Sequence, residues 1–431
     1  MKTMKKLLSI ISLLVVSLLI APYFIGKNVE TKYQDILNTL QKNNQFSVVE
    51  FKFNRDWFNG NATYTLVVPI VQPGGTKEIK IKLVESLNFG PVIFSEQGLI
   101  FGLAHSQANL YFNGELAKNN VTELISKNLN INSLITFSGD YNTNINMGAF
   151  TTKMDDADVI VKALSGSYSL INESHLVGDI NWQGLTAQLK TNKLQLDTIN
   201  ITMDQNLVTG NIYDGTALFD GIFKGTVKNI DSSTANNPPT FKLTNFVVSG
   251  ESKVTKDLMN ILVNYHADEI FGMKQHFKQA NLAIEVSNLN IKVLEKLRKT
   301  INNKSSLPPE QMLAENADKM LSIGVELLDY EPKITISDLS VVTEQGKIIS
   351  DLQMRLDKKL FDPKNMQSLR LAAQVNAKGN GPVGFFQKMG LMPIINQYIQ
   401  QGFLNRDQDT LSFKVNFEQG KLALNNKVLP L

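Results

Sequence analysis

The segment that comes closest to a chemical motif is glycine-rich and lies near the C-terminus. Residues 379–384 (GNGPVG) have the spacing G-x-G-x-x-G, follow a strand-like run at 369–375 and precede a helical pattern. Such a segment binds the pyrophosphate of a dinucleotide when it opens a βαβ unit whose second strand ends in an acidic residue. The next acidic residue, Asp407, precedes the following predicted strand, and Pro382 has no amide donor. We therefore interpret the segment as a strand-to-helix turn that binds no cofactor.

Two clusters contain residue types that bind metals, and neither has the spacing of a metal site. Asp155, Asp156 and Asp158 lack the alternate positions, the glycine turn and the distal glutamate of a calcium loop. His266 and His276 lie near acidic residues, but a zinc protease requires His-Glu-x-x-His on one helical face. We interpret the aspartates as a solvated strand entry, and we predict no catalytic, cofactor-binding or metal-binding residues.

The composition excludes several classes of function. The 431 residues include no cysteine, which excludes disulfides, iron–sulfur clusters, cysteine-ligated zinc and thiol nucleophiles. The 43 basic and 40 acidic residues are interspersed and give a net charge of +3, so nucleic acid is not the expected partner. The sequence contains neither a Gly-x-Ser-x-Gly segment nor a phosphate-binding Walker loop. We therefore expect a protein that is not an enzyme.

The N-terminus has the pattern of a membrane anchor. Lysines within residues 1–6 precede residues 7–25, which carry no charge and span roughly 28 Å as a helix, close to the thickness of a hydrocarbon core. The positive-inside rule places residues 1–6 in the cytoplasm and the chain after Gly26 on the other side. A cleaved signal peptide is the alternative, but cleavage after Ala21 would have leucine at position −3 and proline next. The pattern therefore predicts an uncleaved, single-pass protein whose bulk is periplasmic in a Gram-negative cell.

An amphipathic helix is predicted directly after the anchor, at residues 27–44. Its apolar residues recur at helical spacing and form one stripe, which consists of Val29, Tyr33, Ile36, Leu37 and Leu40. Such a stripe must be covered by another part of the chain, by a partner helix or by the bilayer surface.

The region 45–290 changes to a period of two. Apolar and polar residues alternate in segments such as 79–83 (IKIKL) and 185–189 (LTAQL), and several Asn-Gly or Asp-Gly turns separate such segments. Long helical patterns between the strands are missing, which favours an antiparallel sheet over a parallel one. The fold class that we predict is β-rich α+β, with an N-terminal transmembrane helix followed by a large, elongated antiparallel sheet and a few packed amphipathic helices.

The C-terminal part of the chain adds helices to the sheet. Residues 291–330 contain two apolar stripes at helical spacing, separated by a break that ends in two prolines, and this pattern predicts a helical hairpin. The predicted divisions are the cytoplasmic stub and anchor at 1–26, the juxtamembrane helix at 27–44, the β-rich periplasmic region at 45–290, the helical hairpin at 291–330, and the C-terminal β region at 331–431 with a helix at 383–403.

Four segments of the chain carry a resemblance to a known family. They are residues 26–31 (GKNVET), 51–60 (FKFNRDWFNG), 86–91 (SLNFGP) and 415–425 (VNFEQGKLALN). They resemble the YdgA-like family of bacterial inner-membrane proteins, whose function is unknown, and the resemblance implies a bitopic protein with a periplasmic β-rich body. Members of that family often have histidine where this chain has Phe89, which favours a structural role for the turn. A more distant similarity to AsmA/TamB-type envelope proteins rests on architecture alone.

Two hypotheses of function follow from these patterns. In the first, the chain is a non-enzymatic envelope binding or scaffold protein, and the helices at 291–330 and 383–403 leave part of an apolar sheet face open to a lipid or hydrophobic ligand. In the second, it is an assembly protein whose anchor and juxtamembrane helix contact another membrane protein or a second copy through Tyr33, Leu37 and Leu40. Both hypotheses place the chain in the bacterial inner membrane, with the membrane as a partner.

Overall fold

The structure is a computed structural model that describes most of the chain. The described residues are 2–42, 46–72, 75–95, 98–114, 120–154, 156–234, 239–272, 275–301, 316–362, 364–365 and 367–429, and the side chains of 2–15, 71–72 and 75–76 are not among them. The chain forms two compact units. Unit 1 contains Met1–Gln183 and Met203–Ala217, and unit 2 contains Gly184–Thr202, Leu218–Ile301 and Ser305–Leu431. Because strands far outnumber helices in both, the predicted β-rich fold with a large antiparallel sheet is confirmed.

Helix α1 (Lys2–Leu40) begins unit 1 and joins the predicted anchor to the predicted juxtamembrane helix in one continuous element. Among the described residues, no helix is both long enough and apolar enough to cross a membrane. The transmembrane span predicted at 7–25 therefore has no support from the described helices. The side chains of residues 7–15, which belong to that span, are not among the described ones.

Unit 1 is built on an antiparallel sheet. Its elements after α1 are β1 (Ser47–Arg55), β2 (Asn59–Gln72), β3 (Gly75–Phe89), β4 (Val92–Ser95), β5 (Gly98–Phe101), β6 (Ala104–Asn113), α2 (Asn120–Asn128), β7 (Leu129–Ile135), β8 (Tyr141–Met147), β9 (Phe150–Met154), β10 (Ala157–Val161) and β11 (Leu164–Ile171). The strands pair in the order β1-β2-β3-β6-β7-β8-β11. Strands β4 and β5 form a separate hairpin, which the chain inserts between β3 and β6.

Two long strands, β12 (His175–Leu189) and β13 (Asn192–Thr209), contain residues of both units, and unit 2 continues as a meander. Its elements are β14 (Leu218–Thr234), β15 (Phe241–Thr255), β16 (Leu258–Gly272), β17 (Gln275–Asn290), α3 (Ile291–Ile301), α4 (Ala317–Leu328), β18 (Lys333–Thr343), β19 (Gly346–Leu356), α5 (Ser368–Ala372), β20 (Ala373–Pro382), α6 (Val383–Lys388), α7 (Met392–Gln400), β21 (Asn405–Asp407), β22 (Thr410–Glu418), β23 (Lys421–Leu424) and β24 (Lys427–Leu429). Consecutive strands pair from β14 to β20, and β20 then pairs with β22.

The core of unit 1 forms where α1 meets the sheet. Val29 of α1 is buried in one cluster with Ala62, Leu87, Phe89 and Ala104, which come from β2, β3 and β6. This close approach depends on a glycine in the helix, because a Cβ at position 26 would lie 2.7 Å from the Phe89 ring. Phe89 is therefore a core residue, in agreement with the structural role expected for its turn.

The glycine-rich segment of unit 2 is a strand-to-helix turn, as predicted. Gly379 and Gly381 lie inside β20, and α6 begins at Val383 directly after Pro382. A Cβ at Gly379 would lie 2.6 Å from the ring of Phe413 on β22, so this glycine leaves room for a neighbouring aromatic side chain. The packing of the sheet accounts for this glycine.

The strand predicted at 369–375 is wrong over its first half. Residues Ser368–Ala372 form helix α5, and β20 starts only at Ala373. The backbone N–H of Asp362 donates to Ser368 Oγ at 2.7 Å, and Ala372 is completely buried against Leu356 and Phe361. A non-local cluster thus overrides the local alternation, which is the usual way in which a short strand assignment fails.

Gly184 of β12 gives a prediction about the stability of unit 2. Its φ is +103°, and a Cβ would lie 1.9 Å from the Leu196 carbonyl oxygen. We expect Gly184→Ala to lower the unfolding free energy by about 3 kcal/mol, because it combines a left-handed backbone with overpacking. Gly250→Ala on β15 is the matched control, since its nearest neighbour, the Leu262 carbonyl oxygen, is 3.9 Å away. Equal urea midpoints for the two purified variants would contradict the expectation.

Candidate ligand-binding cavity

The metal-binding residue types singled out in the sequence do not converge in the structure. Within the described part of the chain, no group of three histidine, aspartate or glutamate residues is arranged to hold a metal ion. His266 Nε2 lies 2.8 Å from Asp268 and His276 Nε2 lies 2.7 Å from Glu269, so each histidine has its own carboxylate partner. Both histidines lie on the paired strands β16 and β17.

The structure describes two of the three clustered aspartates, Asp156 and Asp158. Asp158 is on β10, where its carboxylate lies 3.7 Å from the ammonium group of Lys153 on β9. Asp155 lies outside the described residues. The exposed carboxylate of Asp158 and its lysine neighbour are typical of a solvated strand surface.

A cavity of about 400 Å³ lies in unit 1 between the second half of α1 and one face of the sheet. The wall formed by α1 consists of Tyr33, Ile36, Leu37 and Leu40. The wall formed by the sheet includes Tyr64, Leu83, Glu85, Leu87, Ala104, Ala108, Ile131, Ile135, Thr143, Ile145, Tyr168 and Leu170. Both the volume and the mainly apolar lining are in the range of pockets that bind small molecules.

The floor of the cavity carries one buried carboxylate. Glu85 on β3 is 7% exposed and lies between two small residues, Ala62 on β2 and Ala108 on β6, which are its partners in the sheet register. The hydroxyl of Tyr33 on α1 donates a hydrogen bond to Glu85 Oε2, and the hydroxyl of Tyr64 donates to Oε1 at 2.8 Å. Two tyrosines therefore provide the hydrogen bonds that a buried carboxylate requires.

The environment of the two tyrosines favours their protonated form. Burial is the main cause that raises the pKa of Tyr33 well above its usual value, and the Glu85 carboxylate adds to the effect. The same two causes, in the same order, raise the pKa of Tyr64. Both hydroxyls therefore remain donors to Glu85 over the whole physiological range of pH.

These pKa directions predict a loss of stability at alkaline pH. The unfolded chain releases tyrosine protons near pH 10, whereas the folded chain retains those of Tyr33 and Tyr64. The contribution is therefore complete below about pH 10, and stability decreases above it by up to about 1.4 kcal/mol per pH unit for each tyrosine. Tyr64→Phe should reduce this slope, and Tyr111→Phe, at an exposed tyrosine of the same unit, is the control. Urea midpoints at a series of pH values measure the slope, and an unchanged slope in Tyr64→Phe would contradict the prediction.

A second, more polar cavity of about 400 Å³ adjoins the first and shares part of its lining, including Ile36, Tyr141 and Leu170. At its rim the Lys32 ammonium group lies 2.7 Å from the Glu173 carboxylate. This hydrogen bond is the largest cause that raises the pKa of Lys32. The two cavities together form a mainly apolar interior with Glu85 at its floor and charged residues at its rim.

The other face of the same strands is polar. Ser86 and Asn88 alternate with Glu85 and Leu87 along β3, and they line a cavity of about 250 Å³ together with polar residues of β6 and β7 and with Phe94 and Ser95 of the β4–β5 hairpin. His105 of β6 is buried there, and its burial lowers the pKa of the imidazole. The alternation therefore gives unit 1 one apolar face under α1 and one polar face.

The helices that were expected to cover part of an apolar sheet face lie in unit 2, where their apolar residues pack against strands and against other helices. In unit 2, α3 packs against α4, with a hydrogen bond of 2.7 Å between Lys296 and Glu326. Val383 of α6 and Ile395 of α7 are buried with Leu411 of β22. The cavity of about 400 Å³ lies under α1. The first hypothesis did not assign α1 to the cover of a ligand-binding sheet face.

The stripe on the second half of α1 is covered by the chain itself. Leu37 is 4% exposed, and Tyr33, Leu37 and Leu40 all line the cavity against the sheet of unit 1. Of the three possible coverings of this stripe, the structure therefore shows the first. The assembly hypothesis assigned the same three side chains to a partner, which would require α1 to leave the sheet.

Glu85 and Tyr64 were missed in the sequence, although the pattern contained a signal for Glu85. The apolar residues Ile79, Ile81, Leu83 and Leu87 occupy alternate positions, and Glu85 falls in the same phase. An acidic residue at an inward position of a strand is costly unless it is paired, so such a position points to a functional or structural site.

Comparison with known proteins gives a family but no activity. No curated protein and no solved structure shows significant similarity to the chain. The similarities to YdgA-like and to AsmA/TamB-type proteins are not confirmed by these comparisons and remain resemblances. A family model described as a bacterial protein of unknown function, DUF945, matches residues 4–431, and the chain therefore belongs to the DUF945 family.

Proposed function

We propose that the protein is a non-enzymatic, membrane-anchored envelope protein that binds a lipid or another hydrophobic ligand in the cavity under α1. The observation that supports this proposal is the cavity of about 400 Å³ whose walls are mainly apolar and of which α1 forms one wall. A closed core would have filled this volume with side chains, because protein interiors are packed as densely as organic crystals. The proposal places the ligand between Leu37 of α1 and Ile145 of the sheet.

The charges around the cavity indicate how such a ligand enters. The Glu85 carboxylate repels an anionic headgroup from the cavity floor, whereas the rim of the adjoining cavity carries the Lys32–Glu173 ion pair, which polar groups of a ligand can contact. An amphipathic ligand would therefore place its apolar chain under α1 and its headgroup toward the rim.

The membrane anchor is the second part of the proposal. It rests on the uncharged residues 7–25 and on the lysines that precede them, a pattern that favours a periplasmic location for the bulk of the chain in a Gram-negative cell. A reporter fused after Leu431 should accordingly be active on the periplasmic side only. Activity on the cytoplasmic side alone would contradict the proposed periplasmic location and, with it, the proposed access to envelope lipids.

Mass spectrometry of the bound lipid tests the ligand. The full-length protein is extracted in a mild detergent, purified and denatured in organic solvent, and the released lipids are quantified per mole of protein. We expect about one retained lipid per chain, because a cavity of this size holds one drug-sized or acyl-chain ligand. Protein that retains no lipid under several mild extraction conditions would contradict the proposal.

A further inference from the structure

One end of the unit 1 sheet, here called the near end, lies beside the point where α1 leaves the sheet. The pairs that mark it are Arg55–Gly60, Asn59–Asn88, Phe89–Ala104, Ala104–Ile135 and Ile135–Tyr141. Gly26 packs against Phe89 at this end, whereas Gln41 Nε2 donates to the Val48 carbonyl oxygen at the other. The part of α1 that precedes Gly26 therefore extends beyond the near end.

Contacts between side chains connect the near end to that part of α1. The indole N–H of Trp57, in the turn between β1 and β2, donates to the Leu19 carbonyl oxygen at 2.7 Å. The rings of Tyr23 and Trp57 lie 5.0 Å apart, and the Arg55 guanidinium lies 4.7 Å from the centre of the Tyr23 ring. The turn is thus held against the last residues of the uncharged run.

The near end carries an unusual set of exposed aromatic side chains. Among the described residues, the six most exposed aromatic side chains are Phe94 (81%), Phe24 (62%), Phe101 (59%), Phe137 (59%), Trp57 (48%) and Phe58 (48%). They belong to α1, to the β1–β2 turn, to the β4–β5 hairpin and to the turn after β7, and we call them the aromatic collar. No other described tyrosine, phenylalanine or tryptophan is more than 46% exposed.

The hairpin and the second turn also belong to the near end by their hydrogen bonds. The N–H of Gly90 donates to the Leu103 carbonyl at 2.7 Å, which closes the base of the β4–β5 hairpin against the sheet. The N–H of Leu103 donates in turn to the Ile135 carbonyl at 2.8 Å, next to the turn that carries Phe137. Four segments that are separate in the sequence therefore bring aromatic rings to the region of the near end, where Phe94 also borders the polar cavity beside Asn88 and His105.

We propose that the aromatic collar inserts into the interface of a lipid bilayer and seats unit 1 on the membrane. Aromatic residues prefer the headgroup region of a bilayer, and a cluster of exposed rings marks a surface that is covered in the native state. The β1–β2 turn of the collar lies beside Leu19 and Tyr23, so a bilayer that holds the residues of the uncharged run before Leu19 meets the collar at its surface. This inference rests on the anchor proposed above.

If the collar inserts into the interface, the cavity under α1 lies close to the bilayer. Tyr33, the first residue of α1 that lines the cavity, lies seven positions after Gly26, which corresponds to about 10 Å along the helix. A collar in the interface therefore holds the cavity within reach of the lipid headgroups. A lipid can then enter the cavity from the bilayer without crossing a long aqueous gap.

A labelling experiment on the full-length chain tests the collar. Because the chain contains no cysteine, Phe94→Cys and Tyr111→Cys each give one labelling site, the first in the collar and the second toward the other end of unit 1. Each variant is labelled with an environment-sensitive fluorophore and reconstituted into vesicles of phosphatidylethanolamine and phosphatidylglycerol, with or without bromine on the acyl chains. We expect brominated lipid to lower the emission about threefold at position 94 and to leave position 111 unchanged, as insertion into the interface requires.

The chain has two tryptophans, which provide an independent measurement. In Trp182→Phe the remaining Trp57 should be quenched by brominated lipid, whereas in Trp57→Phe the remaining Trp182, whose N–H donates to the Lys162 carbonyl, should not be.

Carbonate extraction establishes separately whether the anchor is embedded. If the anchor is embedded but brominated lipid does not quench position 94, the proposal that the collar inserts into the bilayer is overturned, whereas the proposed anchor stands. A blue-shifted emission at position 94 that brominated lipid does not quench would also overturn it, because a protein would then cover the surface.

Discussion

Replacing Ala108 with phenylalanine is expected to reduce the lipid retained by the purified protein by about tenfold, because the added ring occupies the cavity. Ala108 is 7% exposed and lines the cavity directly opposite Glu85 in the register of β3 and β6. Its side chain points to the same face as Glu85, since directly paired residues of antiparallel strands share a face. The ring would therefore lie where the apolar chain of the ligand is proposed to lie.

The protein should still fold, because the ring enters existing space and overpacking costs of about 1–3 kcal/mol leave a unit of this size folded. Ala149→Phe is the matched control, since Ala149 is exposed in the turn between β8 and β9. Lipids that merely surround α1 would be retained equally by both variants. Equal retention in Ala108→Phe and Ala149→Phe would therefore contradict the cavity as the binding site.

Replacing Leu37 with glutamate is expected to lower the unfolding free energy of unit 1 by about 3–5 kcal/mol, because it places an unpaired charge in an apolar contact. Leu37 is 4% exposed and lies on the wall that faces the sheet. The Glu85 carboxylate lines the same cavity, so the new charge also meets a charge of the same sign. We therefore expect the second half of α1 to detach from the sheet before unit 1 unfolds.

Asn38→Glu is the control for Leu37→Glu, since Asn38 is the next residue and is exposed. We expect it to change the unfolding free energy by less than about 0.5 kcal/mol, as is usual for substitutions on a helix surface. Limited proteolysis after Lys42 and urea unfolding measure the two steps. A Leu37→Glu protein as stable and as protease-resistant as Asn38→Glu would mean that α1 does not depend on the sheet for its position.

The sequence was sufficient to predict several strands of both units, because the period of two is a local property. The alternation at 79–83 and at 185–189 lies in β3 and β12, and the strand-to-helix turn at 379–384 was also predicted correctly. The failure at 369–375 has a physical cause. Ala372 is buried by Leu356 and Phe361, which precede it in the chain by several residues and are brought to it only by the tertiary fold.

The cavity could not be predicted from the sequence, because it depends on which face of the sheet α1 covers. The stripe that includes Tyr33 and Leu37 was recognised, but its partner is formed by strands that are distant in the sequence. The hydrogen bonds that Glu85 accepts from Tyr33 and Tyr64 join three separate elements, and only the phase of Glu85 within β3 is visible locally. Spacing along the chain therefore located each wall of the cavity without showing that the walls meet.

The most direct test of the cavity is photo-crosslinking in membranes. A phospholipid with a diazirine in its acyl chain is added to vesicles that contain the full-length protein, irradiated, and the labelled peptides are identified by mass spectrometry. The account predicts adducts on Ile131 and Ile145, which line the cavity on the sheet of unit 1, and their loss in Ala108→Phe. Adducts confined to residues 16–25 of α1, with none on the sheet, would contradict it.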